Sequence, residues 1–399
     1  MDIAKALWVL WIIVQCVIGY NLVMPLLMAL FSLFSKKRRY STTVNKPEAD
    51  YGIIVTAYVQ THLLPAVVDS ILQMDYSNYI VYIVADKCDV TNLKFDDPRI
   101  IVLRPEETLG SNTRSHFYAI NRFKRNHERL TIIDSDNLVE PTYLNEIDKM
   151  FDAGYAAVQG TRKAKNLNST LACLDAARDM YYHYYDGELL FRLGSSATLA
   201  GSGMAFTTAL YKECLGHLDV TGAGFDKVLQ YEIVSRGYRI AFNGAAVVYD
   251  EKTTNSDQLV KQRARWINTW FRYFGFGFSI IGKGITRFNW NQFLFGVVLL
   301  RPPLFMFLLL SMVFTAVNLL ISPFFFFIWL AAFAAFVLGF AIGIVHAKPD
   351  KVVYRSLLSI PKFIFLQVLS LSKSRRANQL SVATTHLPAQ NAEPSKTDA

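Results

Sequence analysis

The chain has 399 residues, room for one large domain and several membrane segments at roughly 100–200 residues per domain. Hydrophobic residues make up 52%, and they gather at the N-terminus and beyond residue 291, whereas 50–257 has the composition of a soluble domain. The formal charge of +9 does not mark a nucleic-acid binder: Lys and Arg stand beside the apolar segments, at Lys36-Lys37-Arg38-Arg39, in 261–265 and at Lys373 with Arg375-Arg376, as on the cytoplasmic side of membrane spans.

Residues 6–34 are almost wholly apolar, interrupted by Gln15, Asn21 and Ser32. A span needs about 20 such residues, so this stretch is long enough to cross a bilayer with a tilt, and Pro25 would kink it without abolishing it. A cleaved signal peptide is the competing reading, but the run is too long, lacks a basic start and a small-residue cleavage site, and is followed by Lys and Arg. This predicts a retained anchor over 1–35, its N-terminus outside and Lys36 onward in the cytoplasm.

A soluble domain over 48–258 follows, in which strand and helix patterns alternate. Ile53-Ile54-Val55, Val81-Tyr82-Ile83-Val84, Ile100–Leu103 and Thr131-Ile132-Ile133 are short β-branched runs, with helical patterns at 63–73 and 111–124. Repeated β-α units predict an α/β fold with a mostly parallel sheet, whose ligands bind at the carboxyl ends of the strands. Asp86 stands at one such end and Asp134-Ser135-Asp136 at another. An Asp-x-Asp there suits a hard divalent cation, Mg²⁺ or Mn²⁺, that also binds substrate phosphates; as surface loop charge it would need no explanation. No Gly-x-x-x-x-Gly-Lys-Ser/Thr loop is present, and no His/Cys constellation suggests zinc. The four cysteines, Cys16, Cys88, Cys173 and Cys214, lack paired or metal-type spacing and read as reduced thiols.

Residues 259–290 carry the basic run Lys261-Gln262-Arg263-Ala264-Arg265. Two apolar runs, Leu304–Ile321 and 324–345, are separated by Ser322-Pro323 alone, which predicts a transmembrane hairpin over 293–346 with both ends on the side of Lys36. In 351–373 Arg355, Ser356, Ser359, Lys362, Ser370 and Lys373 recur near one helix face, which predicts an amphipathic interfacial helix broken or bent at Pro361, a fourth span being the alternative. Residues 374–399 are polar and aperiodic, as in a disordered tail.

The ordered strings VTAYVQ, IVADKCD, IIDSDN, AVQG, GSGMAF, GFDK…SRGYRIAF and QRARW resemble the membrane-bound family-2 inverting glycosyltransferases, the group holding cellulose synthase, hyaluronan synthase and ceramide glucosyltransferase. The resemblance covers about residues 50 to 266 and implies the GT-A fold, a nucleotide-diphospho-sugar-binding α/β domain. It implies that Thr56, Tyr58 and Asp86 surround the base and ribose, that Asp134 touches the donor, and that Asp136 ligates a metal on its diphosphate. Gln60 and Arg114 complete the donor set, Asp226 is the catalytic base, and Gln262, Arg265 and Trp266 match the QxxRW motif at the diphosphate and the acceptor. Three departures bear on the donor: Val59-Gln60 replaces the usual Asn-Glu, Phe225 the usual Glu before the base, and Gly110-Ser111-Asn112-Thr113-Arg114 a Gly-Lys-rich turn.

Inverting transfer needs a carboxylate to take the proton of the attacking hydroxyl, worth about 10²–10⁴-fold, and Asp226 takes that role; on its own it would read as an ordinary first-turn helix acid. Arg265 and a metal at Asp136 would stabilise the leaving diphosphate. Arg263 reads as a membrane-surface cation, Trp270 as an interfacial anchor, and His183 as part of an aromatic helix face. Gly201-Ser202-Gly203 either lets backbone approach the acceptor or forms a plain tight turn. The sequence thus predicts an integral protein of a bacterial plasma membrane that glycosylates a lipid or lipid-linked glycan, most simply from a UDP-sugar. A processive polysaccharide synthase and an inactive membrane scaffold are the alternatives.

Overall fold

The computed structural model describes residues 3–36, 40–41 and 47–377. Part of the basic run after the first apolar segment, at 37–39, and most of the expected tail, 378–399, lie outside the described residues. The chain opens on α1 (Ile3–Phe34), which contains Pro25. The α/β domain begins with β1 (Tyr51–Tyr58), α2 (Leu64–Leu72), β2 (Tyr79–Asp86), β3 (Ile100–Leu103), α3 (Asn112–Ile120) and β4 (Arg129–Asp134). It continues through β5 (Leu138–Val139), α4 (Tyr143–Asp152), β6 (Ala157–Ala164) and α5 (Thr170–Tyr182). A π-helical stretch, His183–Leu189, runs on into α6 (Leu190–Arg192). The domain closes with β7 (Met204–Thr207), α7 (Thr208–Leu215), α8 (Phe225–Ser235) and β8 (Ile240–Asp250).

All eight strands form one sheet in the order β3-β2-β1-β4-β7-β6-β8-β5. The β3-β2-β1-β4 half is parallel, while β7 runs antiparallel between β4 and β6. Helices cover the central strands on both faces, so Ile53, Ile54, Val55 and 81–84 are at most 1% exposed and their sequences are unbroken apolar runs. The register sets Tyr58 beside Asp86 and Thr56 beside Asp134. The carboxyl ends of β1, β2 and β4 are thereby level, and the chain reverses its direction of winding between β1 and β4, which opens a crevice there.

Past the sheet come α9 (Ser256–Tyr273), α10 (Phe276–Thr286), α11 (Trp290–Leu300), α12 (Leu304–Ile321), α13 (Pro323–Ala347), α14 (Lys351–Ser356) and α15 (Ile360–Lys373). Glycines let α10 and α11 meet backbone to backbone: a Cβ at Gly284 would stand 2.5 Å from the Phe293 nitrogen. Residues 293–300 therefore belong to a separate short helix pair ahead of α12.

Among the described residues four stretches are long and apolar enough to cross a membrane: Ile3–Phe34, Leu304–Ile321, Pro323–Ala347 and Lys351–Lys373. The first three pack together around a buried polar knot, in which Asn318 Nδ2 (2.5 Å) and Trp329 Nε1 (2.7 Å) both donate to Gln15 Oε1. Such bonds hold helices together where apolar contact with lipid gives no advantage to packing. The fourth is divided by a 3₁₀ turn, Leu357–Ser359, just ahead of Pro361. Its α14 lies on α5 through Val353, Cys173 and Ala177, and its α15 lies on α9 through Phe363 and Leu259. The domain is fastened to the bundle by Tyr185 Oη, which donates to the Gly339 carbonyl (2.6 Å), and by an Arg301–Asp186 ion pair.

Candidate active site

The strand ends open into a cavity of about 1170 Å³. Thr56, Tyr58 and Gln60 line it from β1 and the loop after it, Asp134 and Asp136 from the end of β4, Asp226 from α8, and Gln262, Arg265 and Trp266 from α9. Gly201 also borders it, and the far wall is made by Val298, Leu304 and Phe305, where α11 gives way to α12. A smaller recess of about 170 Å³, shared by Thr56, Tyr58, Asp86 and Arg265, adjoins it.

The Asp134-Ser135-Asp136 loop is held by the glycine turn that precedes β7. Ser202, fully buried, accepts at Oγ from the Asp134 N–H (3.1 Å) and from Asn137 Nδ2 (2.8 Å). Buried Gln159 donates to the Ser202 carbonyl (3.1 Å) and accepts from the Ala200 N–H (2.9 Å). Gly201 and Gly203 take φ of +90° and +65°, and a Cβ on Gly203 would press on Val248 at 2.9 Å. Ser202 and Gly203 thus shape the turn from within, and Gly201 alone of the three borders the cavity.

Asp134 is crowded by like charge. Burial first, then Asp136, Asp250 and Asp226, push its carboxyl up to about 7, against the pull of Arg162. This oxygen-rich, charge-starved corner is chemically suited to a hard divalent cation. Among the described residues no three His, Cys, Asp or Glu side chains converge closely enough to hold a metal by themselves, so further oxygens would have to come from a ligand.

Asp226 occupies the first turn of α8, its side chain 19% exposed and 3.6 Å from Lys227 Nζ. Gly224 just before it has φ +103°, and a Cβ there would lie 2.5 Å from Thr269 of α9. Phe225, in place of an acid, packs edge-on against buried His116 at 5.1 Å.

Asp86 is turned to a structural task, for its two oxygens accept from the N–H groups of Leu109 (2.9 Å) and Gly110 (2.8 Å). It shapes the glycine loop ahead of α3 while still bordering the smaller recess. Arg114 borders neither space and forms an exposed ion pair with Asp219 at 2.5 Å. Val59 is held at φ +66°, a conformation costly for a β-branched residue.

Sequence reading missed a cluster on the side of the cavity away from β1. Lys252 Nζ bonds Asp179 (2.5 Å) and Asp250 (2.8 Å), Arg162 reaches the same two carboxylates at 3.6 and 3.8 Å, and Arg178 bonds Asp179 at 2.8 Å. Burial opposes ionisation of Asp179, yet Lys252, Arg162 and Arg178 hold its carboxyl well below the usual range. Arg263 is not the membrane-surface cation expected: it is 2% exposed, paired with Asp175, and lies 3.9 Å from the Trp266 ring centre, with Arg178 over the same ring at 4.7 Å. Helical spacing turned Arg263 away from Arg265 but could not reveal that α5 covers the face it turns to. His183 borders the cavity with both ring nitrogens engaged, Nε2 with the Arg162 N–H (3.2 Å) and Nδ1 with the Asp179 carbonyl (2.6 Å). One signal was legible: Asp250 ends β8 as Asp134 ends β4.

Comparison with curated proteins gives no match. Among solved structures the chain is similar to the mannosyltransferase PcManGT from Pyrobaculum calidifontis in complex with GDP-Man and Mn²⁺, with TM-score 0.55 and 14% identity over 90% of this chain and 97% of that one. S. aureus TarS overlaps less, with TM-score 0.37 and 15% identity over 58% and 40% of the two chains. A family model described as "Glycosyltransferase like family 2" matches residues 47–269, more than half of the chain. The chain belongs to this family of nucleotide-sugar glycosyltransferases, as an α/β domain of GT-A-like mixed, mostly parallel sheet joined to several long apolar helices.

Proposed function

We propose that the protein is an inverting transferase that moves a sugar from a nucleotide-diphosphate donor to a lipid or lipid-linked acceptor at the cytoplasmic membrane face. The observation that carries this reading is the continuity of the cavity, from the strand-end carboxylates Asp134 and Asp136, past Asp226 and Arg265, to Leu304 and Phe305 at the start of an apolar helix. A soluble donor is served by the first end, an acceptor held in the bilayer by the second.

In this reading Thr56, Tyr58 and Gln60 border the base and ribose, and Asp86 keeps the neighbouring loop in form. Asp136, with Asp134 beside it, would hold Mg²⁺ or Mn²⁺, which supplies positive charge to the donor diphosphate when bound. Arg265 neutralises the leaving diphosphate from α9, in a partly closed site where such charge acts more strongly than in water. Asp226 takes the proton of the acceptor hydroxyl as that oxygen attacks the anomeric carbon, and the nucleotide diphosphate departs from the opposite side. An α-linked donor would then give a β product. UDP-sugars remain the first donors to test, with GDP-mannose added because PcManGT is in complex with GDP-Man.

The test is nucleotide release by the purified protein over UDP-glucose, UDP-GlcNAc, UDP-galactose and GDP-mannose, with Mg²⁺ or Mn²⁺ and membrane lipid extract. Release from one donor that is lost in Asp226→Asn supports the reading. No release from any donor with extract present would point to the inactive scaffold instead. Product length separates single addition from processive synthesis.

A further inference from the structure

We infer that Gln230 is a positioning residue for the transfer step: it pins the helix of Asp226 to the turn that carries the Asp134 loop, and so fixes the gap between the base and the donor carboxylates. The inference rests on the transferase reading and adds to it a side chain that acts through others.

The first link lies on α8. Asp226 and Gln230 stand four residues apart, so they share one helix face, and both border the cavity. Gln230 is fully buried. A buried amide costs stability unless it is hydrogen-bonded, and Gln230 Oε1 accepts from the Leu199 N–H at 3.1 Å.

The second link is the turn itself. Three successive amides in it are held by three different elements. The Thr198 N–H donates to the Asp186 carbonyl of the π-helical stretch (2.9 Å), Leu199 to Gln230 of α8, and Ala200 to Gln159 Oε1 of β6 (2.9 Å). Gln159 Nε2 then returns to the Ser202 and Gly203 carbonyls, at 3.1 and 3.3 Å.

The third link reaches the carboxylates. Ser202 Oγ accepts from the Asp134 N–H at 3.1 Å, and the Gly203 N–H donates to the Ile132 carbonyl of β4 at 3.0 Å. A polar path thus runs from the helix of the base to the loop that faces the donor. Inverting transfer needs the attacking oxygen in line with the departing diphosphate while the base stays within hydrogen-bond reach. A misplacement of about 1 Å in such an arrangement costs on the order of 100-fold.

The experiment compares Gln230→Met, which keeps the side-chain length and removes the acceptor, with Gln292→Met. Gln292 is also fully buried and also holds α8, donating to the carbonyls of Val234 (2.9 Å) and Ser235 (3.2 Å). It grips the far end of that helix and does not border the cavity. Full-length protein in maltoside micelles is followed by backbone hydrogen exchange and by nucleotide release. In Gln230→Met exchange should quicken at 198–203 and again at 130–137, and kcat should fall about 10–100-fold with the donor KM within about three-fold. Gln292→Met should leave both segments and kcat near wild type, even at an equal loss of melting temperature. Ser202→Ala cuts the same path at its other end and serves where Gln230→Met does not fold; it should quicken exchange at 130–137 and lower kcat in the same sense. Because both changes act on one path, their double variant should fall within about three-fold of the slower single one. Faster exchange confined to 198–203, equal loss of kcat in Gln230→Met and Gln292→Met, or losses that multiply in the double variant overturn the inference. A wild type that shows this exchange pattern but no turnover counts against the transferase reading and leaves the pinned turn standing.

Discussion

Asp226 stands in the first turn of α8, where a carboxylate is favoured by the helix dipole whatever its chemistry, so its role has to be separated from its fit. Asn preserves shape and hydrogen bonding there but accepts no proton. Asp226→Asn should lower turnover on the order of 10²–10⁴-fold while donor affinity, read by nucleotide titration, changes little. Turnover within a few-fold of wild type would remove the base assignment. Behind it, His116 is fully buried, bonded at Nδ1 to Tyr211 Oη (2.6 Å), and burial pushes its imidazole down to about 3. In the unfolded chain a histidine titrates near 6.5, so between about 6.5 and 3 the unfolded state binds the extra proton and stability falls as pH falls. The loss is about 1.4 kcal/mol per pH unit, or roughly 2 kcal/mol by pH 5. His127 and His183 are lowered in the same sense, so the informative quantity is the difference from His116→Asn. Melting temperatures at pH 7 and pH 5 should converge for that variant relative to wild type; parallel losses would mean that His116 does not titrate as its burial dictates.

At the level of elements, the site depends on how α8 and α9 meet, because one carries Asp226 and the other Gln262, Arg265 and Trp266. Gly224 is the contact: a Cβ would come within 2.5 Å of Thr269 and 2.8 Å of Tyr273, on a backbone at φ +103°. Gly237, at the other end of α8, has φ +91° but nothing within 4 Å. Ala at either position meets backbone strain of about 1–3 kcal/mol, and only Gly224→Ala adds overpacking of about the same size. Gly224→Ala should therefore lose both stability and turnover, whereas Gly237→Ala should lose stability alone; equal turnover in the two variants would contradict the argument. The contrast also explains what the sequence could reveal. Strands β1 to β4 were legible because a parallel sheet buried on both faces demands unbroken apolar runs, and Asp134 and Asp86 followed from the rule for strand ends. The π-helical stretch, His183–Leu189, carries no comparable period. The Lys252–Asp179 pair joins residues 73 apart through two elements whose meeting is decided by packing, which no local pattern records. Arg114 shows the converse, a residue singled out by its place in a motif that the surrounding surface pairs with Asp219.

For the whole molecule, the decisive question is which sides of the bilayer the parts occupy. Helices α12 and α13 meet at Ser322, so crossings at α1, α12 and α13 would put the α/β domain on one side and Pro323 on the other. The last helices admit two arrangements by length and composition, a fourth crossing or a helix lying on the surface. Packing favours the surface: α15 runs along α9, and Asn268 Nδ2 donates to the Ser374 carbonyl at 3.0 Å, tying its end to the element that bears Arg265. Exposed Leu358 and Phe365 are then directed at lipid, flanked by Arg355 and Lys362, in the manner of an interfacial helix. Single cysteines at Asn92, Pro323 and Arg375, all exposed, decide the matter with a membrane-impermeant maleimide. The native thiols interfere little, since Cys88, Cys173 and Cys214 are buried and Cys16 lies in α1. In intact cells only Pro323→Cys should react, and the other two only after lysis. Labelling of Arg375→Cys together with Pro323→Cys would make 351–373 a true span and force the α9–α15 contact apart. Labelling of Asn92→Cys from outside would turn the molecule over and remove the donor cavity from the cytoplasm.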